Sequence, residues 1–218
     1  MGNFDLGVFL LAVLPVLLAI TVHEAAHGYA ARYYGDHTAE QLGRLTLNPL
    51  AHIDPIGTIV VPAVMFFTTG FMFGWAKPVP VVSRNFRDTR IGMRMVAIAG
   101  PASNFAMMFG WALLMMFTPL APESFQYPMQ QMAYFGVMIN AVLFVLNMLP
   151  ILPLDGGRFV DTFLPARASY NFRKIEPYGM WILIALLFTG LLSKIMQPFL
   201  GLVLGIVQGF MRLLGVYL

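Results

Sequence analysis

A pair of histidines inside an apolar run constrains this chain more than any other feature. His23-Glu24-Ala25-Ala26-His27 follows residues 6–22, which carry no charge. If this stretch is helical, both histidines lie on one face, one turn apart, where their imidazoles can hold one metal ion. Glu24 lies about 100° round the helix from His23, close enough to act on a water but poorly placed to be the third ligand. The pattern is typical of zinc hydrolases, in which two neutral nitrogens bind and a carboxylate accepts the proton.

The apolar setting of these residues strengthens the metal interpretation. In a soluble protein, a lone H-E-x-x-H match is only suggestive. Here three ionisable side chains lie within a run that is long enough to cross a bilayer, where such groups are costly and indicate function. The motif also lies inside the first apolar run, so that run is not a disposable signal peptide.

The composition predicts a polytopic membrane protein. Of the 218 residues, 59% are hydrophobic and 11% are charged, whereas soluble domains are nearer about 25% charged. The net charge of +3 is small and scattered, which gives no indication of a nucleic-acid partner. With no cysteine, the chain has no disulfide framework, no thiolate zinc site and no catalytic thiol. A metal must therefore take nitrogen and oxygen ligands.

The apolar runs predict an all-α fold of about five transmembrane helices, a re-entrant segment and a short membrane-associated β-hairpin. The expected spans are residues 5–34, 95–120, 129–149, 178–196 and 199–218, with a turn at Gln197-Pro198 between the last two. We predict one membrane-embedded domain over residues 1–218. Its catalytic core covers about residues 5–158, and a C-terminal helical hairpin covers about residues 178–218.

Two basic loops fix the expected orientation in the membrane. Residues 77–94 and 158–174 are rich in lysine and arginine and should be cytoplasmic by the positive-inside rule. The histidines and Asp155 can then end on one side only if residues 56–73 enter the membrane and return. Their proline and glycines suit a re-entrant element whose backbone is covered by protein. His52 and Asp54, just before it, are interpreted as a polar turn.

A third zinc ligand has to come from another span. Asp155 ends an otherwise uncharged span, and Gly156-Gly157 after it allow close backbone approach. The alternative is a polar turn residue, which is common for Asp-Gly. Because no other acid lies inside a span, we favour Asp155 as the ligand, with one Zn²⁺ per chain.

Two motifs together resemble the site-2 proteases, which are zinc metalloproteases that cut substrates within the membrane. One is residues 23–27, and the other is residues 147–157, Asn-Met-Leu-Pro-Ile-Leu-Pro-Leu-Asp-Gly-Gly. Residues 100–104, Gly-Pro-Ala-Ser-Asn, look like the intervening signature of that family. The resemblance covers residues 22 to about 158 and implies particular roles. His23, His27 and Asp155 would be zinc ligands, Glu24 the general base and Asn147 a substrate contact.

The resemblance also sets expectations for substrates and partners. The substrate would be a transmembrane protein or peptide, cut within or near its membrane segment. The protease itself would be a multi-pass protein of a prokaryotic-type cell membrane. Such a helix must unwind first, because its carbonyls are hydrogen-bonded. Residues 43–47 would form the hairpin that pairs with the unwound strand. Asn104, Asn140 and Asn147 are polar groups that could hold it, and Asn147 is nearest Asp155 in sequence. The chain has no room for the PDZ domain that larger members carry, so we expect the core or partner proteins to select the substrate.

Other readings stay open at the level of sequence. A metal-ion transporter would also place histidine and aspartate in the membrane, but it has no need of Glu24 beside the first ligand, and no internal repeat is seen. A non-catalytic membrane chaperone of the same fold would be expected to have lost one of the four residues. Gly201, Gly205 and Gly209 predict a helix-packing face for a homo-oligomer, although ordinary membrane-helix composition also accounts for them.

Overall fold

The computed structural model describes residues 6–61, 64 and 74–215. Four helices in this part are long and apolar enough to cross a membrane: α1 (Leu6–Tyr33), α3 (Thr89–Phe117), α4 (Glu123–Asn147) and α8 (Leu191–Leu213). Shorter helices are α2 (Thr38–Gln41), α5 (Asp155–Asp161), α6 (Ala166–Arg173) and α7 (Glu176–Phe188). The described residues contain no strand. The predicted all-α membrane class is confirmed.

The predicted count of five spans is not confirmed. The remaining apolar helix, α7, has 13 residues, whereas a crossing at 1.5 Å per residue needs about 20. The predicted β-hairpin is not seen either, because residues 43–47 form a turn and a bend. That stretch is held by side chains: the amide of Asn48 bonds the hydroxyl of Thr46, and His52 Nε2 donates to the carbonyl of Thr46.

The prediction of a turn at Gln197-Pro198 is wrong, because both residues lie inside α8. The chain turns at Thr189 and Gly190, where Gly190 has φ +71°, a left-handed conformation that costs glycine little because it has no Cβ. Pro198 lies inside α8. Membrane helices tolerate such a proline where neighbours support the backbone, and here Met196 and Val203 are buried on either side of it.

The chain divides into two compact units. The helix unit comprises residues 1–19 and 101–218, and the motif unit comprises residues 20–100. In the helix unit, α8 packs against α4 and α7. The buried side of α8 repeats at helical spacing and is entirely apolar, which is why it faces the core. Its members are Leu192, Met196, Val203, Val207 and Met211.

In the motif unit, a hydrogen-bonded cap ends α1. Gly35 takes φ +112°, and the amide of Asp36 bonds the carbonyl of Ala31 at 2.9 Å, which is the six-to-one bond of a Schellman cap. Glycine is required at this position because other residues rarely adopt that φ. The cap turns the chain so that the fully buried Asp36 carboxylate points at the segment after residue 80.

Hydrogen bonds clasp the two ends of the predicted re-entrant segment. The amide of Trp75 bonds the carbonyl of Gly57 at 3.0 Å, and the hydroxyl of Thr58 donates to the carbonyl of Trp75 at 2.9 Å. Asp54 caps the first turn by accepting from the amides of Ile56 and Gly57, as suits a polar turn. The two ends of the predicted re-entrant segment therefore lie next to each other. Residues 62–63 and 65–73, on which the rest of this prediction falls, lie outside the described residues.

Candidate metal centre

The two histidines of the motif lie on the buried face of α1, as helical spacing predicted. His23 and His27 are 8% and 9% exposed, and their Nε2 atoms are 3.0 Å apart. The rings meet edge to face, with centroids 4.6 Å apart. Two nitrogen donors thus converge on one point inside the motif unit.

A backbone carbonyl fixes the tautomer of His27. Its Nδ1 lies 2.7 Å from the carbonyl oxygen of Val96 in α3. A carbonyl can only accept, so Nδ1 carries the hydrogen and donates it. In the neutral ring, Nε2 then has its lone pair directed toward His23. Metal-binding histidines usually have such a partner on the second nitrogen, which orients the ring and raises its basicity.

Gly100 forms the wall behind both imidazoles. A Cβ built on it would lie 2.5 Å from His27 Nε2 and 2.6 Å from His23 Cε1. These distances are well inside van der Waals contact, and His27 cannot easily retreat because Val96 holds its other nitrogen. The absence of a side chain at Gly100 therefore allows α3 to lie against the histidine pair.

The donor set fits zinc. Zinc bonds imidazole nitrogen at about 2.0–2.1 Å in a tetrahedral site, which sets two ligand nitrogens roughly 3.4 Å apart. The observed separation of 3.0 Å needs only a small opening of the pair. Both ligand atoms are imidazole nitrogens, one of the two ligand types left to a chain without cysteine.

Glu24 is half-buried beside the pair and is held by the backbone. The amide of Val79 donates to Glu24 Oε2 at 2.8 Å. Sequence reasoning missed this contact, although a signal is present. Val79 stands between Pro78 and Pro80, and prolines have no N–H, so the Val79 amide is the one donor in that tripeptide.

Asp155 and Asn147 belong to the helix unit. Asn147 is the last residue of α4 and is half-buried, and Asp155 is the first residue of α5. A Cβ on Gly156 would lie 2.5 Å from the Leu149 carbonyl, and one on Gly157 would lie 2.6 Å from the Leu152 nitrogen. The two glycines thus allow α5 to fold tightly back onto residues 148–152, as the Gly-Gly pattern predicted.

The other two asparagines lie in the helix packing. Asn104 and Asn140 are completely buried. The Asn104 amide donates to Asn140 Oδ1 at 2.9 Å and to the carbonyl of Ala19 at 3.2 Å, and the Asn140 amide donates to the carbonyl of Gly136. These bonds join α1, α3 and α4. They give no support to the prediction that these asparagines contact substrate, which stays a prediction.

Comparison with known proteins decides the family. The model of peptidase family M50 matches residues 112–190. YwhC of Bacillus subtilis (strain 168), named as a candidate zinc metalloprotease, is 37% identical over 193 residues, which cover 87% of this chain and 85% of YwhC. The chain belongs to peptidase family M50. Rip2 of Mycolicibacterium smegmatis, similarly named, is 29% identical over 86% of this chain and 70% of its own length. No solved structure gives a significant match.

Membership of M50, the site-2 protease family, confirms the resemblance found in the motifs. The protein is a membrane-embedded zinc metalloprotease, and zinc is its cofactor. The transporter and chaperone readings are not favoured. Zinc-dependent peptide hydrolysis is a chemistry that suits the buried histidine pair and the adjacent carboxylate.

Proposed function

We propose that His23, His27 and Asp155 hold the zinc ion of this M50 protease and that Glu24 is its general base. The observation that supports this most strongly is the His27 tautomer, because the bond from Nδ1–H to the Val96 carbonyl leaves Nε2 unprotonated, as a zinc ligand must be, 3.0 Å from His23 Nε2. Asp155 is assigned from its motif and from the position of its glycines. A catalytic zinc site has three protein ligands and one open position.

The chain's own residues handle the proton. Zinc, when bound, supplies Lewis-acid activation of the water and of the peptide carbonyl. The Val79 amide bonds Glu24 Oε2, so Oε1 is the oxygen that takes the proton from the attacking water. The same carboxyl then gives this proton to the leaving nitrogen, so that Glu24 returns to its starting state. Asn147, at the end of α4, is proposed to contact the unwound substrate strand.

The proposed substrate is a transmembrane segment of another protein, cut in a multi-pass enzyme of the cell membrane. We propose that α7, which alone is shorter than a crossing needs, forms the fifth crossing together with the residues that flank it. We also propose that residues 56–73 are re-entrant. The second point is supported by the bonds of Trp75 with Gly57 and Thr58, which hold the two ends of the segment together. Residues 43–47 contain a turn at Gly43 and a bend at residues 46–47. Their pairing with a substrate strand stays a prediction, which backbone-methylated substrate peptides would test.

We also propose that the glycine face of α8, formed by Gly201, Gly205 and Gly209, contacts a second copy of the chain. A Cβ built on any of the three meets nothing within 4 Å among the described residues. Their small size is therefore not needed for packing in this part of the chain, although each costs a helix about 1 kcal/mol relative to alanine. Cysteines placed at these positions should crosslink two copies. Only monomers under oxidation would count against this face.

The experiment that tests the site is the zinc content of the detergent-purified protein. About one zinc per chain is expected in wild type, with loss or weakening in both His23→Ala and Asp155→Ala. Glu24→Gln should keep the zinc and abolish cleavage, because the amide cannot accept the proton. His37→Ala is the matched control, since His37 is exposed and bonds Glu40.

The outcomes separate the assignments. Loss of zinc only in the histidine variant would leave the protease with a different third ligand. Cleavage that persists in Glu24→Gln would end the general-base assignment. A well-folded wild-type protein without zinc would overturn the whole proposal for this chain.

A further inference from the structure

A proline-flanked segment holds the carboxylate of Glu24, and that segment is itself fixed from three sides. We name residues 77–82, Lys-Pro-Val-Pro-Val-Val, the proline segment. Residues that precede a proline favour extended backbone, and proline fixes its own φ. The backbone dihedral angles of the segment are therefore restricted. If both ends of the segment are fixed in place, the position of the Val79 amide is fixed as well.

The first anchor is Arg44. One guanidinium nitrogen of Arg44 donates to the carbonyl of Lys77 at 3.1 Å and to that of Pro78 at 3.4 Å. On the same side, the amide of Lys77 bonds the carbonyl of His52 at 2.9 Å. These contacts fix the start of the proline segment, one residue before the Val79 amide.

The second anchor is Asp36. Its Oδ2 accepts the amide of Val82 at 2.6 Å, and its Oδ1 accepts the side-chain amide of Asn85 at 2.9 Å. The carboxylate is completely buried and also accepts the amide and the hydroxyl of Thr38. A buried carboxylate with this many donors is rigid, so it fixes the end of the segment.

The third anchor is a close contact with α1. Gly28 lies one helical turn after Glu24, and a Cβ built on it would lie 3.2 Å from Val79 Cγ1 and 2.9 Å from Leu45 Cδ1. The side chain of Val79 is buried. The absence of a side chain at Gly28 lets Val79 approach the helix closely enough for its amide to reach Glu24.

We propose that Asp36 and Arg44 are positioning residues of this protease, which act on Glu24 through the proline segment. The proposal rests on the proposed role of Glu24 as general base. Their hydrogen bonds to the proline segment connect them to Glu24 through the Val79 amide. Their effect is to hold the Val79 amide where it orients the carboxylate for proton transfer, a step that is sensitive to displacements of about 1 Å.

The test compares Asp36→Asn and Arg44→Met with wild type in the full-length, zinc-loaded enzyme. The probe is fluorescently labelled casein, an unfolded chain that needs no helix unwinding. We expect kcat to fall about tenfold or more, with KM and zinc content within about twofold of wild type. Arg44→Lys keeps a cationic donor and should recover part of kcat.

Two controls make the result decisive. Asp88→Ala removes the carboxylate that accepts the Ile91 amide at the start of α3, so it weakens the same unit without touching the proline segment. It should keep the wild-type kcat. Gly28→Ala disturbs the third anchor by crowding Val79 and Leu45 while it leaves the side chains of Asp36 and Arg44 unchanged. It should lower kcat in the same way, which keeps the test open if Asp36→Asn does not fold.

The proposal is overturned if the Asp36 and Arg44 variants lose thermal stability but keep the wild-type kcat well below their melting temperatures. A parallel fall in kcat in Asp88→Ala would overturn it too, since the effect would then be general destabilisation. Glu24→Gln separates this outcome from failure of the proposed function. If that variant is inactive while the anchor variants are fully active, only the positioning role fails.

Discussion

At the scale of single residues, the proposed metal centre has a glycine in close contact with both of its histidines. We predict that Gly100→Ala lowers zinc affinity at least about tenfold, the range seen when the support of a ligand is disturbed. The added methyl would lie 2.5 Å from His27 Nε2, so the ring must leave the Val96 carbonyl. Alanine favours the helix by about 1 kcal/mol, so folding of α3 should not suffer. Zinc titration and thermal unfolding are the measurements.

The matched control is Gly110→Ala in the same helix, where a Cβ meets nothing within 4 Å of the described residues. Equal zinc affinity in the two variants would contradict the role of Gly100.

The sequence predicted that the two imidazoles share a face because helical spacing is local. It could not predict the Val96 carbonyl, 69 residues from His27, or the contact of Gly100, because such pairings depend on how α1 and α3 pack.

At the scale of elements, the end of α1 should be sensitive to acid. Burial by itself raises the pKa of the Asp36 carboxyl, but hydrogen bonds from Thr38, Val82 and Asn85 outweigh it and hold the pKa below its usual range. Asp36 therefore adds stability that is present above its unfolded pKa, about 3.9, and is lost as pH falls through the lower folded pKa. Wild type should lose more melting temperature between pH 6 and pH 3 than Asp36→Asn.

Glu123→Gln, which changes an exposed acid at the start of α4, should show the wild-type acid sensitivity. An equal loss of melting temperature in wild type and Asp36→Asn would show that Asp36 does not cause the acid sensitivity.

The helices also show how much of the fold an apolar pattern can predict. Runs of apolar residues predicted the long helices, but hydropathy does not distinguish a proline inside a helix from one at a turn. The break between α7 and α8 is therefore at Gly190, and Pro198 lies within α8.

At the scale of the whole molecule, the hydrogen bonds between the two ends of residues 57–75 lead to a prediction of how often the chain crosses the membrane. The ends of residues 57–75 are joined by the Trp75 amide and the Thr58 hydroxyl. A full crossing of about 30 Å would separate them by the thickness of the hydrocarbon core. We therefore predict that positions 76 and 160 lie on the same, cytoplasmic side, which agrees with the lysines and arginines of both loops.

A scan of reporter fusions or single cysteines, labelled from one side of sealed vesicles, measures this. Position 122, in the short loop between α3 and α4, is the control and should label from the opposite side. Labelling of 76 and 160 from opposite sides would mean that residues 56–73 cross the membrane. The histidine motif and Asp155 would then approach the membrane from different faces, and a single zinc site could no longer include Asp155. The topology therefore tests the proposal that Asp155 is the third ligand, because that proposal requires the chain to turn back after Gly57.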